Sequence, residues 1–173
     1  MERDPTTHSS KLGSRARVVV QQCTAARVKS SVVAGDPVQF LEIKEGMVVY
    51  VCFLKECTKE VLSKIVRAVL YVRYLRAKDG KRVSVLELPG DVLIVPQSTL
   101  GGIRKKRHVS YNYNINKAEA CELYREFVEM CRREVMSTEE TTCHVRGGNY
   151  DNKYEDMHIE TGRVGLMTHV LDF

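Results

Sequence analysis

The chain contains no tryptophan and only four prolines among its 173 residues, which argues against a polyproline or linker-repeat protein. It also lacks a long apolar run. The longest, Met47 to Leu54, holds eight residues, far short of the ~20 that span a bilayer as a helix. No charged-then-apolar leader opens the chain, so export is not expected. No CxxC pair occurs, and no histidine stands at zinc-finger spacing from a cysteine pair, so neither a metal nor any other cofactor is expected. A G-x-S-x-G elbow, a Walker loop and a G-x-G-x-x-G turn are all missing, which removes the commonest signatures of serine hydrolases, nucleotide hydrolases and dinucleotide enzymes. No paired carboxylates stand out in an apolar or glycine-rich setting.

What is present describes a folded protein. Hydrophobic residues make up 43% and charged residues 28%, an ordinary globular balance. The length suits one domain, and a chain of about this size buries roughly 70% of its unfolded surface, enough for a core without covalent staples. The six cysteines therefore read first as reduced core thiols; one reactive thiol or a metal ligand are the alternatives. A reduced state fits a cytoplasmic protein.

Residues 1–14 are polar and aperiodic and read as a disordered lead-in, with the folded unit over 15–173. Arg17–Cys23 and Ala26–Val33 read as strands, the second as a hairpin partner of the first. Val38–Ile43 and the continuous run Met47–Leu54 follow, the latter as a central strand buried on both faces. Thr58 opens a helix whose apolar residues Val61, Leu62, Ile65, Val66, Val69 and Leu70 form one face. Val83–Leu88 alternates as a half-buried strand, and Val92–Val95 is a strand stopped by Pro96. A second helix runs from about Lys117 to Met136 with Asn116 as its N-cap. Met157–Glu160 and Met167–Phe173 close the chain as strands. Strands joined by short turns, with two long helices inserted, make an α+β domain. We expect a curled or barrel-like sheet with the helices packed outside.

Three features carry chemistry. The run Arg104, Lys105, Lys106, Arg107, followed by His108 and Tyr111, suits a phosphate backbone with stacked bases, or is a solvated loop. In PQSTLGG, residues 96–102, a strand ends at Pro96 and glycines follow, so exposed backbone N–H groups could hold an oxyanion; a plain strand exit is the alternative. In GLMTH, residues 165–169, Gly165 leaves backbone bare at the start of the last strand; a turn glycine is the alternative. His169 has no evident acid–base partner and reads as structural rather than catalytic.

Together with QQCTAARV at 21–28 and GMVVYVCFLK at 46–55, these two motifs resemble the D-aminoacyl-tRNA deacylase fold family, closest to its animal-type branch. The resemblance covers about residues 15–173. It implies hydrolysis of the ester between a misattached amino acid and the 3′-terminal adenosine of tRNA, in a homodimer with sites at the subunit boundary. It implies a catalytic loop of Gln97, Ser98, Thr99 and Leu100 and a substrate-binding segment of Gly165, Leu166, Met167 and Thr168. Arg104, Lys105, Lys106, Arg107 and Tyr111 would then guide the acceptor stem. The family carries Gly-Pro where this chain has Gly165-Leu166. Leucine lacks proline's fixed φ and its ready cis geometry, so D-residues, glycine and small L-residues all stand open as substrates. A tRNA acceptor-end binding protein without catalysis is the alternative function. The terminal ribose 2′-hydroxyl can assist the reaction from within the substrate, so a triad is not required. Thr99 as a nucleophile is the rival route, but no base lies near it in sequence.

Overall fold

The computed structural model describes residues 13–31, 37–139, 141–162 and 167–173. The expected lead-in therefore lies, apart from residues 13 and 14, outside the described residues. Twelve strands are present among them: β1 (Ala16–Cys23), β2 (Ala25–Ser31), β3 (Gln39–Ile43), β4 (Gly46–Phe53), β5 (Leu75–Arg76), β6 (Arg82–Val83), β7 (Asp91–Pro96), β8 (Ile103–Lys105), β9 (His108–Ser110), β10 (Val145–Gly147), β11 (Lys153–Glu160) and β12 (Thr168–Asp172). Two helices, α1 (Lys59–Tyr71) and α2 (Lys117–Ser137), complete the α+β chain.

The main sheet has five strands in the order β10-β7-β4-β1-β12. It is mixed. β1 runs antiparallel to β4 and β12, while β4, β7 and β10 run parallel. Parallel neighbours need a crossover, and α1 and α2 supply the two crossovers. Both helices lie on one face of the sheet. Leu62, Ile65, Val66, Val69 and Leu70 from α1 and Leu123, Phe127 and Cys131 from α2 are buried there against Val18, Val20, Met47, Val49, Val51, Val92 and Ile94. The other face carries Cys23, Val48, Leu93 and Val95, buried against Ala26, Val28 and Ile43. Those three residues belong to a second sheet, ordered β11-β2-β3. Alternate residues of β4 and β7 thus enter two different cores, which is why both strands read as unbroken apolar runs. Each such aliphatic side chain contributes about 1.5–3 kcal/mol on burial.

Three expectations need correction. The strands do not close a barrel: the result is helices, a five-stranded sheet and a three-stranded sheet in open layers. β2 is not the hairpin partner of β1. Only Thr24 separates them, too little for a hairpin loop, and the chain steps from one sheet into the other, so that β2 pairs with β3 and β11. Val83–Leu88 is not a strand beyond Val83. The Ser84 N–H donates to the Glu87 carboxylate (2.7 Å), the Glu87 N–H donates to the Ser84 hydroxyl (3.2 Å), and the Leu88 N–H donates to the Ser84 carbonyl (3.0 Å). That reciprocal pair winds the segment into a turn despite its alternation.

Asn116 caps α2 as expected, its side chain accepting from the Glu119 N–H at 2.9 Å. Thr58 holds the cap position of α1 but makes no side-chain cap bond. Among the described residues no helix is long and apolar enough to cross a membrane.

Candidate active site

The first motif lies at the carboxyl end of β7. Pro96 is opposite Val51 of β4, and the Gln97 N–H donates to the Val51 carbonyl at 2.9 Å. Ser98–Gly101 then form one 3-10 turn. The Leu100 N–H donates to the Gln97 carbonyl (3.2 Å) and the Gly102 N–H to the Thr99 carbonyl (3.1 Å). Gln97, Ser98 and Thr99 are exposed and Leu100 is half-buried. The first N–H groups of a helical turn have no acceptor inside it, so the Ser98 and Thr99 amides are left for an outside partner. The Thr99 hydroxyl has no hydrogen-bond partner among the described residues.

The carbonyls of the turn are taken. Asn114 Nδ2 donates to the Ser98 carbonyl at 2.9 Å, and the Cys52 thiol lies 3.6 Å from the same oxygen. Arg17 Nη1 donates to the Leu100 carbonyl at 3.2 Å. The same guanidinium holds Asp172 through Nε (2.7 Å) and Nη2 (3.3 Å). Arg17 lies on β1 opposite Asp172, so the turn is pinned to the neighbouring strands. Gly101 is buried against this lining: a Cβ there would stand 1.8 Å from Asn114 Oδ1 and 3.1 Å from Cys52 Sγ.

The basic run is a hairpin rather than a loop. Arg104 and Lys105 end β8, Lys106 and Arg107 form the turn with Lys106 at φ 52°, and His108 opens β9. All five are exposed. Val109 and Tyr111, 50% and 43% exposed, lean over Gly102, where a Cβ would meet Val109 Cγ1 at 2.6 Å and Tyr111 Cε1 at 3.0 Å. The cationic hairpin is therefore braced against the 3-10 turn.

The second motif is only partly visible. Gly165 and Leu166 lie outside the described residues. The Met167 carbonyl accepts from the Gln22 N–H at 3.0 Å, and Thr168, exposed, is opposite Gln21. On β1, Arg17 marks the level of the turn and Gln21 the level of Thr168. Four residues of strand separate them, about 13 Å at the usual rise. Among the described residues, Thr168 and the 97–100 turn therefore sit at different levels along β1.

The thiols do not offer a nucleophile here. Burial pushes Cys52 up to about 11, Cys57 to about 11, and Cys23 and Cys143 to about 12, so all four stay protonated at neutral pH. All six cysteines are free. Among the described residues no group of three or more metal-ligating side chains occurs. His169 is half-buried with its ring against Tyr74, centroids 5.1 Å apart, and is opposite Val20 on β1, away from the turn. Sequence reasoning missed Arg17, Cys52 and Asn114. Only the glycine pair at 101–102 signalled that something approaches this backbone closely.

Residues 19–172 match the sequence profile of the D-Tyr-tRNA(Tyr) deacylase family. The chain belongs to that family. The D-aminoacyl-tRNA deacylase 2 of Homo sapiens is 40% identical over 168 residues, covering 93% of this chain and 98% of the human protein. That of Danio rerio is 39% identical over 162 residues, covering 92% of this chain and 99% of the fish protein. A solved structure described as a probable eukaryotic D-amino acid tRNA deacylase superposes with a TM-score of 0.72 over 91% of this chain and 99% of its own, at 22% identity; this last likeness is one of fold. Deacylases of this family are ester hydrolases.

Proposed function

We propose that the chain hydrolyses the ester joining a misattached amino acid to the 3′-terminal adenosine of tRNA. The 97–100 turn binds the reacting carbonyl through main-chain N–H groups, and the terminal ribose supplies the assisting 2′-hydroxyl. The observation that carries this reading is the turn itself: its carbonyls are held by Asn114 and Arg17 while its first amides and the Thr99 hydroxyl have no partner within the turn. Preorganised donors of this kind are worth about 2.7–4 kcal/mol each toward an oxyanion. A neighbouring hydroxyl within the substrate adds up to ~7–11 kcal/mol through proximity.

Arg104, Lys105, Lys106 and Arg107 meet acceptor-stem phosphates, and Tyr111 offers a stacking face beside the turn. Gly165, Leu166, Met167 and Thr168 bind the amino acid from a second copy of the chain. The separation of Thr168 from the turn along β1 supports that arrangement. The homodimer acts without a metal, in the cytoplasm, where reduced thiols persist. Its substrates are D-residues, glycine or small L-residues.

The experiment is a panel of D- and L-aminoacyl-tRNAs incubated with purified protein and scored for free amino acid. Release from one or a few of them, retained in Thr99→Ala, supports the main-chain mechanism. An acyl adduct trapped on Thr99 refutes it. Binding of tRNA with no change in ester lifetime would leave a binding protein only.

A further inference from the structure

The turn would not keep its shape through its own bonds. A four-residue 3-10 turn has few hydrogen bonds, and their geometry is poor. Its Ser98 carbonyl is instead held by side chains from elsewhere in the chain: the Asn114 amide, 16 residues later, donates to it through Nδ2 at 2.9 Å, and the Cys52 thiol makes a longer contact at 3.6 Å. Asn114 is itself held in place. Its backbone N–H donates to the Tyr111 carbonyl at 3.0 Å, and it bridges Leu54 at the end of β4. On either side the Lys55 N–H donates to the Tyr113 carbonyl (2.8 Å) and the Ile115 N–H to the Phe53 carbonyl (3.2 Å). On the side of Gly101 its amide is closely packed, since a Cβ there would strike Oδ1.

We infer that Asn114 is a positioning residue for deacylation: its side-chain amide holds the Ser98 carbonyl and so aims the Ser98 and Thr99 N–H groups at the reacting ester. This rests on the deacylase reading of the turn. Asn114 touches no substrate in this role. It also joins the basic hairpin to the turn, because Tyr111, the residue whose carbonyl it binds, closes over Gly102.

The test compares wild type with Asn114→Ala and Asn114→Asp on one charged tRNA, with kcat, KM and the melting temperature measured together. Asn114→Ala lowers kcat about 10- to 100-fold, the scale of a slight misplacement of a reacting group, while KM for charged tRNA stays within about twofold because the hairpin and its charges are untouched. Asn114→Asp keeps the shape but sets a carboxylate against the Ser98 carbonyl. Protonation turns it back into a donor, so its kcat relative to wild type climbs as the pH is lowered. A residue that merely stabilised the fold would lower the melting temperature and leave kcat per folded molecule, and its pH profile, unchanged. Wild-type kcat in both variants overturns the inference while the deacylase reading stands. A wild-type protein that releases no amino acid from any charged tRNA overturns both.

Discussion

Gly101→Ala puts the site's geometry to a quantitative test. The new methyl carbon would stand 1.8 Å from Asn114 Oδ1, 2.9 Å from its Cγ and 3.1 Å from Cys52 Sγ. Cys52 is buried and cannot swing away, so Asn114 must move by more than an ångström. That movement breaks the Asn114 to Ser98 bond, at a cost of about 0.5–1.5 kcal/mol. Crowding of the remaining lining adds about 1–3 kcal/mol. For a chain of this size each kcal/mol lowers Tm by about 2–4 °C, so the expected drop is roughly 3–18 °C. Released from Asn114, the turn loses its aim, and kcat falls by about 100-fold. Thermal melts and single-turnover deacylation read the two effects. Gly13→Ala is the control, since a Cβ there meets nothing within 4 Å. A Gly101→Ala protein with wild-type Tm and wild-type kcat would refute the reasoning outright.

Other outcomes follow from the same structure. Gly46→Ala is more damaging than Gly101→Ala, because its Cβ would stand 1.9 Å from the Asp91 carbonyl, backbone of a paired strand that cannot rotate aside; denaturant melts compare the two. Replacing Arg104, Lys105, Lys106 and Arg107 with alanine weakens tRNA binding and flattens its salt dependence by about 0.7–0.9 in log–log slope per lost phosphate contact, read by binding at several salt concentrations. Stability falls at alkaline pH. The unfolded chain gives up the Cys52 proton near its ordinary value of 9.0 while the folded protein holds it to about 11. The folded state therefore binds more protons across that window, and stability declines as pH rises through it. Cys57 acts the same way, and Cys23 and Cys143 extend the decline toward 12. Urea melts from neutral pH upward check the sign.

What could be read from the sequence was what burial writes into residue type. Met47–Leu54 showed as a doubly buried strand because its alternate side chains fill two separate cores. Helix α2 showed because its apolar stripe repeats and Asn116 caps it. The β1–β2 relation did not show, because a strand that changes sheets across one residue, Thr24, has the same alternation as a hairpin arm. The Ser84–Glu87 turn was hidden by chance alternation, since its cause is a pair of local side-chain bonds. The β8–β9 hairpin was hidden because its strands are short, most of their residues are exposed, and its turn uses Lys106 at positive φ, not the usual asparagine or glycine. At the candidate site the motif glycines marked where neighbouring side chains press on the backbone. Asn114 and Arg17 left no mark, because a polar side chain that binds a distant carbonyl looks in sequence like any surface residue.

The account rests on main-chain donors at the turn acting together with a hydroxyl carried by the substrate. The most direct measurement is the release of amino acid from two charged tRNAs that differ only in the terminal adenosine, ribose in one and 2′-deoxyribose in the other. The account predicts rapid release from the first and resistance in the second, with equal binding of both. Equal rates from the two would contradict it.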